Sequence, residues 1–166
     1  MNPMRRKLLF SSAIVAATGG LTMGLFNQGK ARAANGDFAF QLSEAQWRER
    51  LTPAQYAVLR DHGTERAGSS PLDDEKRAGV FHCGGCDQPL FEIGTKFDSG
   101  TGWPSFFAPI EGKVGTRSDR SWLMVRTEVH CGNCGGHLGH VFDDGPPPTG
   151  KRYCMNGVAM TFKPSG

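Results

Sequence analysis

The chain has 166 residues, with 19 lysines and arginines against 16 aspartates and glutamates, five cysteines, 23 glycines and ten prolines. That length holds one domain with an appendage and is long enough to bury a real core. A hydrophobic content of 38% with 21% charged residues excludes a disordered chain and a polytopic membrane protein. The formal charge of +3 hints at an anionic partner, but the charge is unevenly spread.

Residues 1–33 carry Arg5, Arg6, Lys7, Lys30 and Arg32 and no acidic residue. The basic cluster precedes an uncharged run from Ser11 to Phe26, diluted by serine, threonine and glycine, and Ala31-Arg32-Ala33 follows as an A-x-A processing site. Paired arginines before so weak an apolar run resemble a twin-arginine export signal. The expectation is a signal over 1–33, cleaved after Ala33, that delivers the protein to the periplasm. The alternative is an uncleaved anchor, since Leu8 to Phe26 is just long enough to span a bilayer. Without the leader, fourteen basic residues face sixteen acidic ones, a net charge of −2. The electrostatic case for nucleic acid disappears with it, and the membrane is met only through the signal if that is retained.

After a linker over 34–42, the domain expected over 43–166 opens with two short helices. Ser43 to Arg50 has an N-cap serine with Gln46 three residues on, and Thr52-Pro53-Ala54-Gln55 repeats the capping-box spacing with proline at the first helical position. Tyr56, Val58 and Leu59 give the second helix an inner face, and Gly63 a stop. Thr64 to Ala78 is polar, with Gly68, Pro71 and clustered charges, and reads as an exposed loop. Short β-type runs follow between glycine turns: Val80 to His82, Leu90 to Ile93, Ser121 to Val129, His140 to Phe142 and Val158 to Phe162. The fold class expected from these runs is mainly β, a small antiparallel β domain with an N-terminal helical wrap.

Cys83-Gly84-Gly85-Cys86 and Cys131-Gly132-Asn133-Cys134 each place two thiols across a tight turn. Such turns bring paired sulfurs to the tetrahedral spacing of a zinc site, about 2.3 Å from the metal. The alternative is two disulfides, which an exported protein can form, although bridging a single C-x-x-C makes a strained, reducible bond. Cys154 is left over. An odd cysteine in an exported chain is a candidate reactive thiol, with a buried inert cysteine as the alternative.

Three stretches decide between these: Gly102-Trp103-Pro104-Ser105-Phe106, His137-Leu138-Gly139-His140-Val141-Phe142 and Arg152-Tyr153-Cys154-Met155-Asn156-Gly157. With the paired cysteines, they strongly resemble the methionine-R-sulfoxide reductases, the B type of that activity. The similarity runs from about Ser43 to Phe162 and is least clear from Arg66 to Ala78. It implies a β-rich fold around a barrel-like sheet and a structural zinc remote from the active site. It also implies an enzyme of redox repair under oxidative stress that reduces the R epimer of methionine sulfoxide, free or in oxidised proteins. In the family pattern His137 and His140 lie in the active site, with His140 expected as the main acid and His137 as support.

The residue types suit that chemistry. A sulfoxide needs a soft nucleophile for sulfur, an acid for oxygen and a pocket for the methyl group. Cys154 is the thiol that remains once zinc takes four, and Arg152 would favour its thiolate. Trp103 would attract a sulfur gaining positive character. Asn156 would orient a histidine or bind substrate, and Asp144 would hold a histidine or an arginine. Structural imidazoles, a core tryptophan and a solvated turn carboxylate are the plainer alternatives for these residues. Many relatives carry a resolving cysteine before the tryptophan, where this chain has Thr101. Regeneration is therefore expected from an external thiol, such as a thioredoxin-like protein. The rival classes are a zinc-ribbon binding module, which leaves the H-x-x-H run unexplained, and a thiol–disulfide oxidoreductase working through one C-x-x-C.

Overall fold

The computed structural model describes residues 38–121 and 124–166. The expected signal, residues 34–37 of the linker, and Trp122 and Leu123 of the Ser121–Val129 run lie outside the described residues.

The two helices form where the capping boxes stand. In α1 (Glu44–Arg50) the Ser43 hydroxyl accepts from the Gln46 amide at 3.3 Å, while the Gln46 side chain accepts from the Ser43 amide at 2.9 Å. In α2 (Pro53–Leu59) Thr52 and Gln55 repeat the arrangement. Helices of seven residues do not stand alone in water. These persist by burying Trp47 from the first and Tyr56, Val58 and Leu59 from the second. Gly63 is not the stop itself: α2 ends at Leu59, and the Gly63 amide folds back onto the Ala57 carbonyl at 2.8 Å.

Among the described residues nine strands follow: β1 (Gly79–Cys83), β2 (Pro89–Glu92), β3 (Lys96–Phe97), β4 (Ser105–Phe106), β5 (Val114–Asp119), β6 (Arg126–Cys131), β7 (His137–Phe142), β8 (Arg152–Met155) and β9 (Met160–Pro164). They make two antiparallel sheets, one ordered β2-β1-β9 and one ordered β3-β4-β8-β7-β6-β5. The expected β-rich class holds, but the barrel-like closure does not. The larger sheet ends on β3 and β5, which do not pair with each other, and both sheets stay open. The run expected from Val158 to Phe162 is displaced by two residues, because Gly157–Ala159 forms a 3₁₀ turn and β9 begins only at Met160.

The core lies between the sheets and the helices. Phe81, Phe91 and Phe106 are fully buried, with Phe91 stacked on Phe106 at 4.3 Å and Phe81 edge-on to Phe106 at 4.9 Å. Such pairs contribute about 0.5–1.5 kcal/mol each beyond the area they bury. Leu138 and Met155, also fully buried, belong to β7 and β8, so the strands that carry the candidate site are anchored through their alternate residues.

Candidate active site

Pairing register builds the site. Across the large sheet Ser105 stands opposite Cys154, Cys154 opposite His140, His140 opposite Glu128, and Glu128 opposite Arg117. Directly paired residues share a face, so these side chains form one row across five strands. Cys154 and His140 are neighbours in it.

His137 joins the row through a β-bulge. Residues three apart on a regular strand face opposite sides, but Val129 pairs with Gly139 while His130 pairs with His137. The extra residue, Leu138, reverses the alternation. The rings of His137 and His140 then meet edge-on at 5.4 Å. The bulged Leu138 carbonyl accepts from both the backbone amide of Asn156 at 2.8 Å and its side-chain amide at 3.0 Å. Gly139 is required here by close approach: a β-carbon would sit 2.1 Å from the Cys154 carbonyl oxygen.

Each histidine is held by a carboxylate. His140 Nε2 lies 2.8 Å from Asp119 Oδ2, and Asp119 also accepts from Arg126 and the Ser121 amide. His137 Nδ1 lies 2.9 Å from Glu128 Oε1, where His62 and a two-pronged Arg117 also converge. Burial tends to raise both carboxyl groups, but these bonds outweigh it and hold Asp119 and Glu128 well below the usual carboxylate range. Burial pushes the His140 imidazole down, and the Asp119 hydrogen bond partly offsets that. His137 is buried, and its Nε2 has no partner among the described residues. Both rings line a cavity of about 400 Å³ with Asp61, His62, Asp119 and Arg126. A larger, mostly apolar groove of about 730 Å³ between α2 and β9 contains neither histidine nor Cys154.

The other expected residues fall as follows. Asp144 holds Arg152 through two bonds, at 2.9 and 2.8 Å, and the guanidinium stacks on Phe142 at 4.5 Å. The Asp144 hydrogen bond chiefly raises the already high Arg152 pKa, and Cys154 adds to that in the same direction. Trp103 enters β4 two residues before Ser105 and gives its indole N–H to the Glu65 carbonyl at 3.2 Å. The Asn156 amide is engaged with Leu138 and the Glu65 backbone, not with a histidine. Thr101 Oγ1 lies 3.8 Å from Cys154 Sγ. Asp119, Glu128, Arg117, His62 and Glu65 escaped the sequence reading, because no short motif holds them and they reach the site through register and loop packing.

The four remaining thiols cluster away from this row. Cys83 ends β1 and Cys131 ends β6; Cys83 Sγ lies 3.7 Å from Cys134 Sγ, and Cys86 Sγ lies 3.5 Å from Cys131 Sγ. Each nearest pairing joins one turn to the other, and neither is bonded as a disulfide. A tetrahedron with arms of about 2.3 Å has edges of about 3.8 Å, so the donor set fits a tetrahedral ion. Contacts with Cys131, Cys134 and Cys86, reinforced by burial, push the Cys83 thiol up, so full ionisation of the cluster needs a cation. The four cysteines can hold a metal ion. Arg50 and Arg60 brace the two turns, donating to the carbonyls of Gly85 at 2.6 Å and Cys134 at 3.1 Å.

A lone thiol beside a histidine, with a separate four-thiol cluster able to hold a metal ion, is an arrangement suited to an oxidoreductase. The SelR domain model matches residues 51–164. The chain is 57% identical over 123 residues to the peptide methionine sulfoxide reductase MsrB of Agrobacterium fabrum, covering 74% of this chain and 91% of that protein. It is 59% identical over 121 residues to MsrB of Pseudomonas putida, covering 72% and 90%. With the chloroplastic peptide methionine sulfoxide reductase B1 of Arabidopsis thaliana it is 54% identical over 129 residues, 77% of this chain and 63% of that protein. The chain belongs to the SelR family, the methionine-R-sulfoxide reductases, and is an oxidoreductase.

Proposed function

We propose that the protein reduces the R epimer of methionine sulfoxide, free or within oxidised proteins, with Cys154 as nucleophile. The observation that carries this is the direct pairing of Cys154 with His140, since the chemistry needs a thiol and a proton donor at one centre. Cys154 sulfur attacks the sulfoxide sulfur as His140 protonates the oxygen. The sulfur–oxygen bond of the substrate breaks, the oxygen passes to Cys154 as a sulfenic acid, and methionine leaves reduced by two electrons. Trp103 holds the methyl side, and Arg152, held by Asp144, steadies the thiolate.

Thr101 beside Cys154 cannot form a disulfide. An external dithiol of the thioredoxin kind attacks the sulfenic acid, releases water and leaves as a disulfide. Cys83, Cys86, Cys131 and Cys134 hold a zinc ion whose contribution is a structural cross-link. The protein works in the periplasm after export by the twin-arginine signal, where oxidised proteins are its substrates.

The test is an assay on both sulfoxide epimers with added dithiol. R-selective turnover that Cys154→Ser abolishes is expected; S-selectivity or an active C154S variant refutes the reading. Mass spectrometry after one turnover without reductant should find one added oxygen on Cys154. An internal disulfide would contradict the external route.

A further inference from the structure

Glu65 lies in the polar stretch after α2, and every polar group it owns is engaged with the site. Its backbone amide donates to Asn156 Oδ1 at 2.9 Å, and its carbonyl accepts the Trp103 indole N–H at 3.2 Å. Its carboxylate accepts from the backbone amides of Gly157 and, at 3.0 Å, Val158. Those two amides open the 3₁₀ turn that follows Cys154, and Asn156, the residue at its N-cap, supplies no side-chain cap. Glu65 provides the cap from another part of the chain, with a charge that suits exposed amide donors.

The neighbouring residues of the stretch add to the grip. The Gly68 amide donates to the Gly102 carbonyl at 2.7 Å, one residue before Trp103. Gly102 has φ +84° and approaches so closely that a β-carbon would lie 2.8 Å from the Gly68 nitrogen. On the other side Gly157 leaves room for Ser70, whose hydroxyl oxygen would be 2.0 Å from an added β-carbon. One segment thus reaches the turn that presents Trp103 and the turn that leaves Cys154.

We infer that Glu65 is a positioning residue for sulfoxide reduction: it ties the Trp103 indole to the Cys154–Val158 segment and sets the tilt of the ring relative to the thiol. The inference rests on reading Cys154 as nucleophile and Trp103 as the substrate's methyl contact. Glu65 touches neither the sulfoxide nor the reacting sulfur. Its effect is on how well the substrate is held, so it should appear in KM before it appears in thiol reactivity.

Glu65→Gln tests this, because one oxygen then faces one amide while an NH₂ group faces the other donor. The Trp103 indole resonance, assigned by its loss in Trp103→Phe, should exchange its proton with water roughly tenfold faster in E65Q. KM for the R-sulfoxide should rise roughly tenfold. Alkylation of Cys154 by iodoacetamide should stay within about twofold of wild type, with one metal retained per chain. In E65Q/W103F the two KM penalties should combine to less than their product, because W103F already lacks the indole N–H. Unchanged indole exchange and KM in folded E65Q, or multiplicative penalties, overturn the inference. If E65Q does not fold, Glu65→Asp carries the same readouts, and wild-type values there overturn it equally. A wild-type chain inactive on both epimers would instead refute the catalytic reading, while the indole exchange still decides whether Glu65 holds the ring.

Discussion

At the scale of single residues, the site works by pairing each ionisable group with a partner that fixes its proton. With Nε2 of His140 directed at the ionised Asp119 carboxylate, the imidazole donates its Nε2–H to it as a hydrogen bond and keeps Nδ1 for exchange. Burial lowers the His140 pKa, and Asp119 raises it part of the way back. If His140 is the acid, the active form is the protonated one, and turnover falls as pH rises through its folded pKa. Asp119→Asn removes the compensating charge, so the pKa drops further and the falling limb moves to lower pH. A shift of one unit would cut turnover at pH 7 about tenfold. A pH profile of kcat for the variant checks this; an unmoved limb would transfer the acid's role away from His140.

At the scale of elements, the bulge in β7 does what the H-x-x-H spacing alone cannot. Two histidines three apart lie on opposite faces of a flat strand, and Leu138 as the extra residue brings both to one face. The motif was visible in the sequence, yet the bulge depends on how β6 registers against β7. Asp119 and Glu128 were hidden for the same reason, since register alone brings them to the histidines. Strand β5 also escaped, because Gly115, Thr116, Arg117 and Ser118 show no apolar alternation. The capping boxes of α1 and α2, by contrast, were legible because donor and acceptor lie three residues apart. The dependence on close β7–β8 approach can be tested at Gly139, where an added methyl would collide with the Cys154 carbonyl. Gly139→Ala should move the nucleophile's strand and destabilise the fold by about 1–3 kcal/mol, the range for overpacking. Turnover should fall by more than tenfold with metal content unchanged. Near wild-type turnover would mean that the ladder yields without disturbing Cys154.

At the scale of the whole molecule, the open sheets need something to hold them besides the core. Cys83 belongs to β1 of the smaller sheet and Cys131 to β6 of the larger, so an ion bound by the four thiols joins one sheet to the other. The helices take part, because Arg50 and Arg60 donate to carbonyls of the two cysteine turns. The thiols contribute only when deprotonated around a cation, so metal binding and folding are coupled. Loss of the ion would leave four crowded thiols in a buried corner and free both turns. Removing an ion held by the four thiols with a strong chelator should therefore lower the melting temperature by on the order of 20 °C, corresponding to several kcal/mol for a domain of this size. Below the new melting point, turnover per folded molecule should stay close to that of the loaded protein, since Cys154 and its histidines are not among the ligands. Melting curves, epimer assays and metal analysis on the same samples separate the two possibilities. A stable but inactive metal-free protein would give the ion a part in the chemistry, and an unchanged melting point would remove it from the scaffold.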